Sequence, residues 1–198
     1  MNNQFTFFWY TSSPFSQWHP SLFTVEGTTF TSAEQYMMYN KAVLFGDSSV
    51  AEEIMSLNSL VSKNKHGDSE DYILKRYIEG QISRKDILKD KHLKALWTES
   101  QTAIKALGKK VKNYDDTIWI ENRERIVEEG NFAKFSQNAD LKEALLATTG
   151  TTLVEASPYD TIWGIGLKED DVRARNVATW RGLNLLGKIL TNIRDYKI

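Results

Sequence analysis

Glu34 stands in the run Ser32-Ala-Glu-Gln35, where a Ser N-cap and a Gln three residues on mark the start of a helix. A carboxylate on that first turn is rigidly held and lies at the positive end of the helix dipole, which by itself accounts for an acidic residue there. The chemical alternative is a carboxylate whose protonation is tuned by partial burial beside Tyr36, Met37 and Met38. Local sequence favours the cap. Lys41 follows two helical turns later on the same face, so one ligand is able to bridge both residues, although an exposed lysine on a solvated face explains it as simply.

A second group lies in Glu155-Ala-Ser-Pro-Tyr-Asp160-Thr-Ile-Trp163-Gly-Ile-Gly166. Ser157-Pro158 makes a turn, and Asp160 and Trp163 point the same way if the backbone after it makes a helical turn. An Asp, a Trp and two glycines in so short a run suit a pocket where backbone approaches a ligand closely. The plainer account is an Asp that caps its turn and a Trp that anchors core.

Other chemistries are missing. No phosphate-binding loop of the G-x-x-x-x-G-K-[ST] type occurs, and Gly164-Ile-Gly166 lacks the third glycine of a dinucleotide fingerprint. His19, His66 and His92 are widely separated, so surface histidines are expected rather than a metal cluster. The chain has no cysteine, which removes disulfides, zinc ribbons and a thiol nucleophile and fits a reducing compartment. Neither a metal nor a cofactor is expected. The start, MNNQFTFFWY, has no charged leader region and no apolar run reaches spanning length, so a soluble, cytoplasmic protein without a membrane partner is expected.

The 198 residues carry 25 Lys+Arg against 26 Asp+Glu, an ordinary balance for one domain able to bury its own core. Aromatic residues are unevenly spread, with 11 of them in the first 40 positions, a stretch that contains no Lys or Arg. A buried strand pair is the plainer reading and an aromatic-lined site the sharper one. The middle third is mildly basic and of mixed sign, too weak a signal for nucleic-acid binding.

The elements that must position these residues follow from punctuation and period. Short β-type runs (TFFWYTS, LFTVEG, TTF) precede a first helix from about Ala33 to Gly46. Helices are expected over Ser49-Leu57, Glu70-Glu79, Arg84-Trp97 and Gln101-Leu107, with Gly108 as the residue after the last. Residues 63-97 look like an inserted helical pair. An amphipathic helix over Trp119-Glu129 places Trp119, Arg123, Ile126 and Val127 near one face and stops at Gly130. A short helix over Asp140-Ala147, a strand in TTLVEA and a final helix from Gly182, burying Leu183, Leu186, Leu190 and Ile193, complete a helix-rich α+β chain.

Taken in order, FSQWHPSLFTVEG with TSAEQYMMYNKAVLFGD (15-47), ALGKKVKNYDDTIWIENR (106-123), AKFSQNADLKEALLATTG (133-150), LVEASPYDTIWGIG (153-166) and WRGLNLLGKILTNIR (180-194) resemble the NADAR superfamily and its YbiA-like N-glycosidase branch. The resemblance implies one compact α+β domain over residues 1-198, helix-rich with a small β-sheet, carrying a helical insertion at 63-97. It also implies cleavage of N-ribosidic bonds. One branch acts on ribosylaminopyrimidine phosphate intermediates of riboflavin synthesis, and another removes ADP-ribose from guanine in DNA. The implied partners are a small ribosylated base or ADP-ribose, and ADP-ribosylated DNA.

Carried over residue by residue, the family's S-x-E-[QH]-Y glutamate falls on Glu34 and its functional tryptophan on Trp119. Its D-x-x-W-G motif falls on Asp160, Trp163 and Gly164, and its G-x-N-x-L-G motif on Gly182 to Gly187 with Asn184. The expected roles are Glu34 as the anion facing the positive anomeric carbon and Asp160 on the ribose hydroxyls or the proton, with Trp18, Trp119 and Trp163 holding base and sugar. Lys41, Lys109, Gly164 and Asn184 complete the substrate contacts. Gln17 replaces a common Asn, and Lys109 replaces an Arg, a point charge in place of a bidentate fork. The competing reading is a non-catalytic ADP-ribose or nucleotide-binding module in which Glu34 only caps its helix.

Overall fold

The alternation of aromatic and small residues near the start becomes strand structure, and the capped apolar runs become helices, in a computed structural model that describes residues 4–63 and 69–198. Eight α-helices and six short strands occur among the described residues, an α+β arrangement. No helix among them is long and apolar enough to cross a membrane. The residues group into two compact units.

One unit comprises Met1–His19 and Val127–Ile198. Strand β1 (Phe5–Phe8) pairs in parallel with β6 (Thr152–Glu155), Phe5 facing Thr152 and Phe8 facing Glu155. Leu153 and Val154 of β6 are completely buried. Helix α8 (Leu185–Tyr196) lies along β6, with Leu186, Leu190 and Ile193 buried as the 3.6-residue period requires. Gly187 makes that approach feasible, since a Cβ there would collide with the Leu153 carbonyl and the Asn184 amide. Helix α7 (Ala139–Leu146) buries Leu141 and Leu145, and Val154, Ile165, Leu167 and Ala174 form a further core against Phe5, Phe7 and Trp180.

The other unit is Pro20–Ile126. Strands β2 (Phe23–Val25) and β3 (Thr28–Phe30) form a hairpin whose two turn residues, Glu26 and Gly27, both have positive φ, at 49° and 78°. Helix α1 (Ala33–Leu44) packs on α2 (Ser48–Ser56) and on α5 (Lys91–Gly108). Between them stand β4 (Val61–Lys63), β5 (Ser69–Asp71), α3 (Ile73–Ile78) and α4 (Arg84–Lys89). Ile54, Leu74, Ile87, Trp97 and Ile104 are fully buried here, so the lysine-rich stretch contributes core to this unit. Helix α6 (Asp116–Gln137) begins in this unit and continues in the other.

Several expectations are corrected. Residues 69-71 are a strand rather than the first turn of a helix, because they pair antiparallel with Val61–Lys63. The helix expected over 84-97 breaks at Asp90, whose carboxylate accepts the Leu93 N–H and starts α5, while α5 runs unbroken through 98-100 to Gly108. Gly108 is therefore inside the helix, where it lies against Met38. Gly130 does not stop α6, which runs on to Gln137 with that glycine buried. Leu183 is exposed because α8 starts only after Asn184, a residue with left-handed φ of 53°. His19 is buried, with Nδ1 3.0 Å from the Thr11 carbonyl, whereas His92 is exposed. His66 and Gly67 lie outside the described residues.

Candidate active site

The start of α1 is held by side chains from two other elements. Ser32 Oγ accepts the Gln35 N–H at 3.1 Å, as an N-cap should, and donates to Oε1 of Gln101 on α5 at 2.7 Å. Gln35 does not close a capping box on Ser32. Its Oε1 accepts both the backbone N–H and the hydroxyl of Thr31, at 2.9 and 2.8 Å, and its Nε2 donates to Asn58 Oδ1 at 2.8 Å. These bonds immobilise the turn that carries Glu34, which is 3% exposed.

Seven residues along, roughly 10 Å at the helical rise, Lys41 Nζ donates to the Gly108 carbonyl at 3.0 Å. That carbonyl belongs to the last turn of α5, the negative end of a helix, which suits an ammonium. Lys41 Nζ also lies 4.3 Å from the centre of the Tyr114 ring and 5.6 Å from that of Trp119. Burial pulls the Lys41 pKa below the ordinary lysine value, and the charge of Asp116 opposes that shift. Trp119 is 9% exposed, on a helix started by Asp115, whose carboxylate accepts the Ile118 N–H. Tyr114 donates to Asp116 Oδ1 at 2.6 Å. Desolvation of the phenol, then that bond and the Asp116 charge, push its pKa up to about 12. Lys109 caps the end of α5 and its side chain is exposed.

In the other unit, Asp160 organises its own loop. One carboxylate oxygen accepts the N–H of Ile162 at 2.9 Å and of Trp163 at 2.7 Å, so Asp160 caps its own turn, the plainer of the two readings of this motif. Trp163 is half-buried. Gly164 is buried, and a Cβ on it would lie 2.8 Å from the Glu155 carbonyl and 3.0 Å from that of Asp160, so its bareness accommodates neighbouring chain. Asn184 is fully buried, accepting the Glu155 N–H at 2.9 Å and donating to the Leu153 carbonyl at 3.0 Å. Its amide therefore latches the start of α8 to β6. Trp18 is half-buried, its N–H donated to Ser16 Oγ at 3.2 Å. The segment before it is tied to α6 through Lys134 Nζ on the Ser16 carbonyl and Asn131 on Gln17.

The structure thus gathers Lys41 and Trp119 with Glu34 on the same helix as Lys41, and Asp160, Trp163, Gly164 and Asn184 in one loop cluster. Sequence reasoning missed Tyr114 and did not single out Arg123. The signal for Arg123 was an arginine on the otherwise apolar face that holds Trp119. A separate cleft of about 610 Å³, lined by Phe7, Trp9, Tyr10, Lys168 and Arg175 among others, includes none of the sequence-selected residues. Among the described residues no group of three or more His, Asp and Glu is arranged to hold a metal ion.

Comparison with known proteins places these features in context. The model of the NADAR domain matches residues 7–196. N-glycosidase R617 of Acanthamoeba polyphaga mimivirus is 38% identical over 186 residues, covering 91% of this chain and 85% of its own. Protein irg-1 of Caenorhabditis elegans is 32% identical over 168 residues, covering 84% of this chain and 60% of its own. The solution structure of the E. coli protein YbiA superposes with a TM-score of 0.62 at 22% identity, over 98% of this chain and 84% of that one, a likeness of fold. On the match of nearly its whole length, the chain belongs to the NADAR domain family.

Proposed function

We propose that the protein is an N-glycosidase, a hydrolase that cuts the bond between the anomeric carbon of a ribose and the nitrogen of a base. The observation that carries this reading is Glu34: a buried carboxylate on an immobilised helical turn, two turns from a lysine that lies against Trp119. The names of similar proteins such as R617 support it.

In such a reaction the base departs with its bonding electrons and positive charge develops on the anomeric carbon and ring oxygen. A fixed anion stabilises that charge best when it needs no reorganisation, which a carboxylate on a clamped helix start provides. Glu34 fills that role and takes the proton of the attacking water, whose hydroxide adds to the carbon; the same proton then passes from Glu34 to the departing base nitrogen, which restores the carboxylate. Trp119 offers a face to a planar base, worth about 1–3 kcal/mol per base stacked. On this reading Asp160, Trp163 and Trp18 take part in holding ribose and base, and Asn184 and Gly164 act by shaping the loop.

The substrate is a ribosylaminopyrimidine phosphate or an ADP-ribosylated guanine, free or in DNA. Glu34→Gln is expected to abolish base release while the melting temperature stays near that of the parent. Turnover at the parent rate sinks the assignment, and affinity for ADP-ribose with no base release makes the protein a binding module instead. Side-by-side turnover of the two substrates identifies the class.

A further inference from the structure

Every residue that lines the cleft beside β1 belongs to the unit of Met1–His19 and Val127–Ile198. Its volume of about 610 Å³ falls within the roughly 300–1,000 Å³ usual for sites of small organic ligands. One wall is aromatic. Phe8 is spent on core, edge-on to Phe15 with ring centres 5.7 Å apart, but Trp9 and Tyr10 are not. Their ring centres lie 5.0 Å apart, and Tyr159 meets Trp9 at 6.0 Å. Tyr10 is 70% and Tyr159 84% exposed, so these rings gain little from burial in the folded chain. The turn that presents Tyr10 is closed by its own carbonyl, which accepts the Ser13 N–H at 2.8 Å.

The rest of the rim is charged, and its loop is built without those charges. Asp171 accepts the Arg173 N–H at 2.9 Å and pairs with the Arg173 guanidinium at 2.6 Å, while Trp180 Nε1 donates to the carbonyl of the buried Ala174 at 2.9 Å. Arg175, next along, enters none of these bonds. Its guanidinium lies over the Phe7 ring at 4.7 Å, and neither it nor Lys168 has a carboxylate within ion-pair distance among the described residues. Glu169 and Asp170 are exposed at the tip of a turn that the Asp171 N–H closes on the Lys168 carbonyl at 3.1 Å. Two unpaired cations and two carboxylates thus share one rim with stacked rings. Charge balanced in this way gives little net attraction to a bare anion. It suits a ligand with an anionic end, a hydroxyl-bearing middle and a planar ring, since cations take phosphate, carboxylates accept sugar hydroxyls and aromatic faces stack on a base.

We propose that this cleft is a ligand site apart from the candidate active site, and that it binds a nucleoside 5′-monophosphate. The base stacks on Trp9 and Tyr10, the phosphate meets Arg175 and Lys168, and the ribose hydroxyls meet Glu169 and Asp170. The site goes beyond the hydrolase reading, because neither Glu34, Lys41, Trp119, Asp160 nor Trp163 lines it. No bond is made or broken there. A nucleotide free in solution and one within a single strand present the same ring and phosphate, so the shared chemistry is that of a nucleotide.

The test is calorimetric titration of the full chain with adenosine 5′-monophosphate, adenosine and a single-stranded trinucleotide of deoxyadenosine, comparing the parent with Arg175→Gln and Tyr10→Ala. Both side chains are exposed, and the melting temperature checks that each variant folds. The parent is expected to bind the monophosphate about tenfold or more tighter than adenosine, ~1.4 kcal/mol. Arg175→Gln should bring the monophosphate down toward adenosine and leave adenosine unchanged. Tyr10→Ala should weaken both about fivefold or more, the loss of one stacking face. A trinucleotide bound more tightly than the monophosphate, with the same loss in Arg175→Gln, identifies a strand as the source, and one bound more weakly identifies the free nucleotide. No saturable binding of the monophosphate by the parent overturns the proposal, and so does equal affinity for monophosphate and adenosine. Binding at parent strength in both folded variants puts the nucleotide elsewhere and also overturns it. If Arg175→Gln does not fold, Lys168→Gln carries the phosphate arm. Binding is read without turnover, so the cleft and the hydrolase reading fail separately.

Discussion

Ser32 donates its hydroxyl proton to Oε1 of Gln101, 2.7 Å away, and both residues are completely buried. The bond joins the N-cap of α1 to the middle of α5 across 69 positions of sequence, so Glu34 is placed by a helix it does not belong to. Gln101→Leu leaves a buried hydroxyl without its acceptor, which costs about 1–3 kcal/mol. Urea denaturation should show that loss, and, on the role proposed for Glu34, kinetics should show a lower kcat with KM little changed, since a group acting on the transition state would be displaced. Gln101→Glu, which retains the acceptor, should recover part of both. A destabilised Gln101→Leu with the parent kcat would mean that the clamp supports the fold without positioning Glu34.

Asp160 permits a cleaner separation of fold from chemistry. Its carboxylate oxygen closes a turn on the Ile162 and Trp163 N–H groups, and the amide oxygen of asparagine is able to do the same. Asp160→Asn should therefore melt close to the parent, while Asp160→Ala loses about 0.5–2 kcal/mol as other lost caps do. If the negative charge matters to catalysis, both variants lose activity to a similar degree. Full activity in Asp160→Asn would confine Asp160 to holding its loop.

Tyr114 supplies a pH signature. Its folded pKa, about 12, lies above the ordinary value of 10.0, so the folded protein holds that proton through a window in which the unfolded chain releases it. The stabilisation is complete below pH 10 and is lost as pH rises through 12. Absorbance titration of tyrosinate at 295 nm should show a late step, identified by difference against Tyr114→Phe because burial also raises Tyr72. A difference titration centred near pH 10 would refute the shift.

Gly187 is intolerant of a single methyl. A Cβ there would run into the Leu153 carbonyl and the Asn184 side chain, and backbone cannot step aside as a flexible side chain can. Gly187→Ala should cost about 1–3 kcal/mol, the usual cost of overpacking a well-filled interior, despite alanine's better helix propensity. Thermal unfolding checks it, and a neutral or stabilising result would show that α8 moves freely against β6.

Local chemistry in the sequence was a good guide where structure is local. The first helix starts at Ala33 because Ser32 caps it, and Leu186, Leu190 and Ile193 are buried because the period alone demands it. What escaped is tertiary. Residues 69-71 are extended only because Val61–Lys63 pair with them, and α6 crosses Gly130 because that position is buried. His19 is buried through a bond to Thr11 that no spacing rule anticipates. The same holds in the site. Lys41 and Lys109 are both legible as basic residues near the site, but that only Lys41 meets Tyr114 and Trp119 is a matter of how α1 lies on α5 over the bare Gly108.

Strand β1 also sets a timetable for synthesis. Its partner β6 is almost the whole chain away, with Thr6 and Thr151 bonded side chain to side chain across 145 positions. At about 5–20 residues per second, β6 leaves the ribosome roughly 7–30 s after β1 does. Throughout that interval Phe5, Phe7 and Phe8 have no strand to pair with, in a stretch that lacks any lysine or arginine to deter other chains. The nascent chain thus carries an unpaired, apolar strand until β6 emerges, and that strand is a point of exposure to aggregation during translation.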